Sequence, residues 1–367
     1  MNGKIGTTQA AMLIVNTILP TAIVVLPAII SNYAEQDAPL AIFLSTLIGL
    51  GIATLVGTVV RYTNGMPFLD WIRKRSSPVV AFILGLLMLQ FYLDIASTIL
   101  REFINFTKDN VLVKTPATVL VILILLITVY MVRQGIEAIA RVNSFVILLY
   151  IFFVPLFLFG LLGYIDIHRL LPLFDHSPAA LTLASLTPAS WMSEVGVLLF
   201  LAPYLKSPQK ARFIGWLGLL TLFLLMLMIL VPTLMVLGPD YIKISAYPGF
   251  SAAGIVRIGN SFERLDILFL SFWVLSIYLK LAIFLFATVE CFKQTFRVDT
   301  SRPFIGALGL LIALECLFTW KDSAMLNTYN REGRFLVFLL FNAALPLILV
   351  ILERFRWFKP KRKGWDS

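Results

Sequence analysis

Six stretches of this chain carry no charged residue: Ile5–Ala34, Ala38–Val60, Thr115–Val132, Val142–Ile165, Phe213–Pro239 and Phe335–Leu352. Each supplies the roughly 20 apolar residues that a helix needs to cross a bilayer. Nothing else in the sequence restricts the fold as strongly. A mean hydropathy of +0.91, with 59% hydrophobic and 14% charged residues over 367 positions, excludes a soluble domain of this size. The runs are continuous rather than alternating, which excludes an outer-membrane barrel.

Counting onward predicts ten spans: about 8–32, 39–61, 78–106, 116–133, 142–164, 183–204, 212–237, 265–291, 303–320 and 334–353. The loops leave no room for a soluble domain. The first run is too long for a cleavable signal peptide. An even number of spans puts both termini on one side. That side receives 19 of the 30 Lys and Arg residues and the other side 10, with Lys280 inside a span. By the positive-inside rule both termini are expected in the cytoplasm. The net charge of +10 is therefore read as topology and contact with the lipid bilayer, not nucleic acid. The basic tail from Lys359 to Lys363 is read as a topology anchor, with a docking signal as the other reading.

No phosphate-binding loop, ATPase motif or nucleophile–base arrangement occurs, so neither an enzyme nor an ATP-driven pump is expected, and no cofactor is expected. Cys291 and Cys316 fall in or at the edge of spans, which argues against a disulfide or metal site. His168 and His176 read as solvated loop residues, with a metal pair the weaker alternative.

Three charges fall near the middle of apolar helices: Asp94, Glu194 and Lys280. Each costs at least about 2.5 kcal/mol on insertion scales, so such residues face a cavity or one another. Gln90, Asp94, Ser97 and Arg101 share one face of span three, as Ser276 and Lys280 do on span eight. The expectation is that Asp94 and Lys280 meet. A fixed salt bridge, a contact with a zwitterionic ligand and proton coupling are the three readings of such a pair. Glu194 has no partner evident from the sequence. Glu290 and Glu315 are expected to face local donors.

Span one is interrupted at Asn16-Thr17-Ile18-Leu19-Pro20-Thr21-Ala22, and span six at Thr187-Pro188-Ala189-Ser190-Trp191, leading to Glu194. Proline removes a donor and clashes with the preceding turn. Two interrupted helices five spans apart point to a transporter built from two inverted repeats, with its ligand at mid-membrane. The alternative is two ordinary proline kinks. The expected organisation is one membrane domain: repeat one about 8–164, repeat two about 183–320, a final helix at about 334–353 and a tail at 354–367. Tyr92 and Trp191 flank the polar positions and are placed near the cavity, with ordinary packing as the alternative. A short helix after span seven, around 255–258, is expected to cover the cavity, and Glu263, Arg264 and Asp266 to cluster at the mouth of span eight.

Several signatures resemble the B subunits of spore germinant receptors, the GerAB-type proteins within the amino acid–polyamine–organocation transporter superfamily. They are Val15-Asn16-Thr17-Ile18-Leu19 with Leu26-Pro27, Pro67-Phe68-Leu69-Asp70-Trp71, Ser190 with Glu194-Val195, Leu199-Phe200-Leu201, and Phe262-Glu263-Arg264-Leu265-Asp266 with Trp273. The resemblance covers essentially the whole chain. It implies an all-α membrane protein of LeuT/APC type with ten transmembrane helices, a 5+5 inverted repeat and broken helices one and six. It also implies a nutrient sensor in the spore inner membrane that works with an A subunit carrying a membrane domain and a C-subunit lipoprotein. The ligand, an amino acid in this reading, would contact Ile18 to Ala22, Ser190 to Glu194, and Tyr278 to Lys280, with Thr17, Tyr92 and Asp94 beside them. The chain departs from the family pattern at Leu19-Pro20-Thr21-Ala22, where proline offers no backbone donor to a carboxylate, and at Asp94 and Lys280. A proton-coupled symporter of amino acids or small solutes is the competing function, with Glu194 or an Asp94–Lys280 pair carrying the proton.

Overall fold

The computed structural model describes residues 3–255, 265–320, 323–330 and 334–355. Its helices are α1 (Thr7–Ala34), α2 (Ala38–Thr63), α3 (Phe68–Arg75), α4 (Pro78–Asn110), α5 (Ala117–Gln134), α6 (Ile136–Leu161), α7 (Pro178–Met192) and α8 (Leu198–Leu201). They continue with α9 (Ala211–Leu237), α10 (Pro239–Ile244), α11 (Pro248–Ile255), α12 (Leu265–Phe296), α13 (Ile305–Phe318), α14 (Ser323–Thr328), α15 (Arg334–Leu339) and α16 (Leu345–Arg354). Among the described residues there is no strand, only an isolated bridge between Ile5 and Leu205.

Among the described residues, eight helical runs are long and apolar enough to cross a membrane. The first, Thr7–Thr63, contains both α1 and α2, folded back at the 3₁₀ turn Glu35–Asp37. α13, at 14 residues, is shorter than a full span and occupies the place of the expected ninth. Two spans start at Ser-Pro pairs. Ser77 and Ser177 accept hydrogen bonds from the amides of Val80 and Ala180, and Pro78 and Pro178 begin the helices with the ring geometry already helical.

α1 lies at the centre, packed against α6, α7, α9 and α12. The helix form continues through Pro20 and Pro27. The interruption expected in span one is thus a missing donor within a helix, not an unwound stretch. Span six does change form: α7 gives way to a 3₁₀ stretch at Ser193–Val197 before α8. The last span has a π turn at Leu340–Ala344 between α15 and α16. Span six meets it closely, since a Cβ on Gly196 would fall 2.0 Å from Asn342 Oδ1.

The two ends of the bundle are fastened differently. On the N-terminal side the amide of Ile5 donates to the Tyr204 carbonyl at 2.8 Å, and that of Lys206 to the Ile5 carbonyl at 3.0 Å. α3 is tied to α12 there, through Leu69 N to Gln294 Oε1 and Arg73 Nη2 to the Gln294 carbonyl, both 3.0 Å. On the opposite side Asp37 accepts the amides of Phe174, Asp175 and His176 at 2.8–3.1 Å and faces the His176 ring. α11 lies over α1 on this side, but residues 256–264 fall outside the described residues. They include most of the expected covering helix, Glu263, Arg264 and the Phe262–Arg264 part of the signature; the basic tail also lies outside.

Candidate functional site

Thr21 is the residue of the interrupted α1 segment that reaches both a cavity and a buried charge. Its Oγ1 accepts from Lys280 Nζ at 3.0 Å. The same ammonium lies 3.4 Å from Oε1 and 3.3 Å from Oε2 of Glu194. It also sits 5.9 Å from the centre of the Phe284 ring. Both charged side chains are buried, Lys280 at 2% and Glu194 at 1% exposure. One cation therefore joins α1, the 3₁₀ break of span six and α12.

The sequence expectation of an Asp94–Lys280 contact is corrected here. Lys280 pairs with Glu194, and Asp94 Oδ2 accepts from the Tyr329 hydroxyl at 2.8 Å. The polar stripe on α4 exists, but it turns towards α13. Gln90 donates to Glu315 Oε1 at 3.0 Å, and Arg101 to the Cys316 carbonyl at 3.3 Å. Helical spacing identifies which residues share a face; it does not identify the neighbour that face meets. Equal depth on two helices likewise leaves their rotation undetermined.

The backbone around Pro20 is held by span eight. Trp273 Nε1 donates to the Pro20 carbonyl at 2.6 Å, and Asn16 Nδ2 to the Ser276 carbonyl at 3.0 Å. These two bonds tie α1 to α12 beside Pro20, whose missing N–H leaves the Asn16 carbonyl without its helical donor. In span six Ser190 and Ser193 bond back to the carbonyls of Thr187 and Ser190, and Asn342 Nδ2 donates to Ser193 Oγ at 3.2 Å.

A cavity of about 320 Å³ opens on the side opposite the N-terminus. Thr21 is at its deep end. Val24, Ala28, Phe106, Trp273 and Ile277 give it apolar walls, and Glu102, Asn105, Asn330 and Lys243 supply polar groups. Phe106 stands against both Trp273 and Tyr247, with ring centres 4.3 and 4.9 Å apart. α10 and the link to α11 form the rim, where Lys243 pairs with Glu35 and the Tyr247 hydroxyl donates to Asp109 Oδ2 at 2.9 Å. A site of this kind, apolar with a few convergent polar groups, suits a small organic ligand.

Of the residues singled out from the sequence, Thr21 lines this cavity; Thr17, Ile18, Leu19, Pro20, Ala22, Ser190 and Trp191 are buried in the packing around it. Tyr92 is also buried, edge-on to Phe200 and beside Phe284, and Tyr278 is half-buried near Phe103. Tyr92 and Trp191 are buried and are not among the residues that line this cavity. Glu315 does face a local donor, and Glu290 is a buried carboxylate bordering a second cavity of about 690 Å³ on the N-terminal side, with Tyr204 and Gln294.

Sequence reasoning missed a second ion pair. Glu102 Oε1 lies 3.1 Å from Arg334 Nη1 and 2.9 Å from Asn330 Nδ2, while Arg334 is 2% exposed and rests on the Phe338 ring. Glu102 and Arg334 stand at the ends of apolar runs, where charges usually mean solvent. Asn342 was a readable signal: it is the one polar side chain in the run 335–352.

The helical bundle, with its buried pair and its cavity between α1 and α12, has the build of a membrane protein with a transporter-like fold. The chain belongs to the spore germination protein family, the GerAB-type germination permeases, whose model matches residues 4–323. It is similar to spore germination protein KB of Bacillus subtilis (strain 168), at 23% identity over 98% of this chain and 96% of that one. It is likewise similar to spore germination protein XB of Bacillus anthracis, at 22% identity over 86% and 88%. Among solved structures it resembles Mhp1, a nucleobase-cation-symport-1 family transporter, with a TM-score of 0.60, 15% identity, and coverage of 97% of this chain and 80% of that one. A Na⁺-coupled sialic acid symporter gives a TM-score of 0.62 at 11% identity, with coverage of 97% and 84%. These likenesses show an APC-type fold.

Proposed function

We propose that this chain is the nutrient-sensing subunit of a spore germination receptor, and that a small nutrient, most simply an amino acid, binds in the cavity above Thr21. The observation that carries this reading is the double role of Thr21. It faces the cavity, and it is one hydrogen bond from the ammonium that holds three helices together. A ligand seated there changes the surroundings of Lys280 without reaching it. To switch the protein, it must bind one arrangement of the helices better than another, by about 5.5 kcal/mol for a nearly complete change.

In this reading the protein sits in the spore inner membrane with both termini cytoplasmic, as the Lys and Arg distribution favours. The cavity faces outward, where nutrient arrives. A and C subunits of the receptor read the state. Spores lacking the chain should lose their response to one nutrient; the intact gene should restore it and a Lys280→Ala form should not.

Glu194 favours a second reading, a proton-coupled amino acid or small-solute symporter. It is a fully buried carboxylate in the 3₁₀ break of span six. Protonation would release Lys280 from it. Uptake into liposomes under a proton gradient, lost in Glu194→Gln, would support transport; absence of flux with an intact germination response would support the sensor.

A further inference from the structure

A polar patch lies on the outer surface of the bundle, where the protein faces lipid. Asp94 is the middle residue of the 33-residue helix α4, and Gln90 is one turn away, so both lie within the hydrocarbon depth. Gln90 is exposed, and Ile83, Leu86 and Leu87 on the same face of α4 are 54%, 40% and 53% exposed. Glu315, its hydrogen-bond partner on α13, is flanked by exposed Leu311, Leu314 and Phe318. Asp94 is half-buried beside them, bonded to Tyr329. An apolar surface suited to lipid is thus interrupted at mid-depth by an amide and two carboxylates. Among the described residues neither carboxylate has an ion pair, and the nearby arginines are engaged elsewhere, Arg101 on the Cys316 carbonyl and Arg334 on Glu102.

Carboxylates in a span almost always face protein or a water-filled cavity, because lipid tails offer them nothing. We propose that the face formed by Gln90, Asp94 and Glu315 is a docking surface for a transmembrane helix of another protein chain, one that carries a lysine or arginine near its middle. Charge complementarity selects that occupant. A second copy of this chain does not qualify, since its own mid-span lysine, Lys280, is buried against Glu194. The exposed leucines on either side provide the apolar flanks such a helix packs on. The surface is separate from the cavity, so the proposal stands whether the chain senses or transports.

The test is photo-crosslinking of the full chain in the membrane of the cells that make it, with a benzoyl-phenylalanine at Leu314 and a control at Leu126, which is 63% exposed on α5. The expected product at Leu314 is a peptide from a different chain, a transmembrane segment with a basic residue near its middle. Its yield should fall at least tenfold when Asp94→Asn and Glu315→Gln are combined, while Leu126 gives lipid adducts in both backgrounds. If the double variant does not accumulate in the membrane, Glu315→Gln alone should lower the yield. Lipid adducts alone at Leu314 would overturn the proposal. So would a peptide from a second copy, an apolar partner segment without a basic residue, or a yield unchanged by the substitutions.

Discussion

Lys280 Nζ stands 3.0 Å from Thr21 Oγ1 and 3.3 Å from Glu194 Oε2, so the floor of the cavity opposite the N-terminus and the break in span six share one buried cation. The arrangement makes the cavity and the helix interior parts of the same hydrogen-bonded unit.

Removing one partner of a buried pair leaves an uncompensated charge, which costs about 3–5 kcal/mol, whereas replacing both by apolar side chains is often neutral. Lys280→Met should therefore lower the thermal midpoint of the purified protein markedly, and adding Glu194→Leu should recover most of the loss. Additive losses in the double variant would show that the two side chains do not act as a pair.

Asp37 fastens the loop after span five. Burial pushes its carboxyl up, but the hydrogen bonds from Phe174, His176 and Asp175 outweigh this and hold it below the usual 3.8. A carboxyl with a lowered folded pKa stabilises the fold above its unfolded value and loses that contribution as the pH falls through the folded one. Cleavage of the segment around 166–177 by an acid-tolerant protease should thus rise below about pH 4. Asp37→Asn should show the same rise at neutral pH, through a loss of about 1–3 kcal/mol.

Gly249 brings α11 onto α1 more closely than any other residue allows. A Cβ there would fall 2.1 Å from the Ile23 carbonyl oxygen, a backbone atom that cannot swing aside. Gly249→Ala should destabilise by about 1–3 kcal/mol, as overpacking does. Gly254→Ala, where a Cβ would meet nothing within 4 Å, should be close to silent. Equal unfolding midpoints for the two variants would contradict the packing of α11 described above.

The fold was legible because lipid imposes one solution on long uncharged runs: they become helices. Pro20, Glu194 and Lys280 were legible as a buried polar level because apolar helices do not carry such groups by chance. The pairing was not legible. Asp94 and Lys280 stand at similar depth, yet α4 presents Asp94 to Tyr329 and α12 presents Lys280 to Glu194, and only the rotation of each helix decides that. The Glu102–Arg334 pair escaped because each residue sits where an apolar run ends. The cavity walls escaped because Val24, Phe106 and Ile277 look like ordinary span residues.

The most direct test of a nutrient site above Thr21 is germination of spores lacking this chain, complemented with the intact protein or with Thr21→Val, against single amino acids, sugars and salts. The account predicts that one nutrient loses its effect without the chain, that the intact protein restores it, and that Thr21→Val shifts the required concentration at least tenfold upward. A response to every nutrient unchanged by deletion, or a Thr21→Val form with the wild-type concentration dependence, would contradict it.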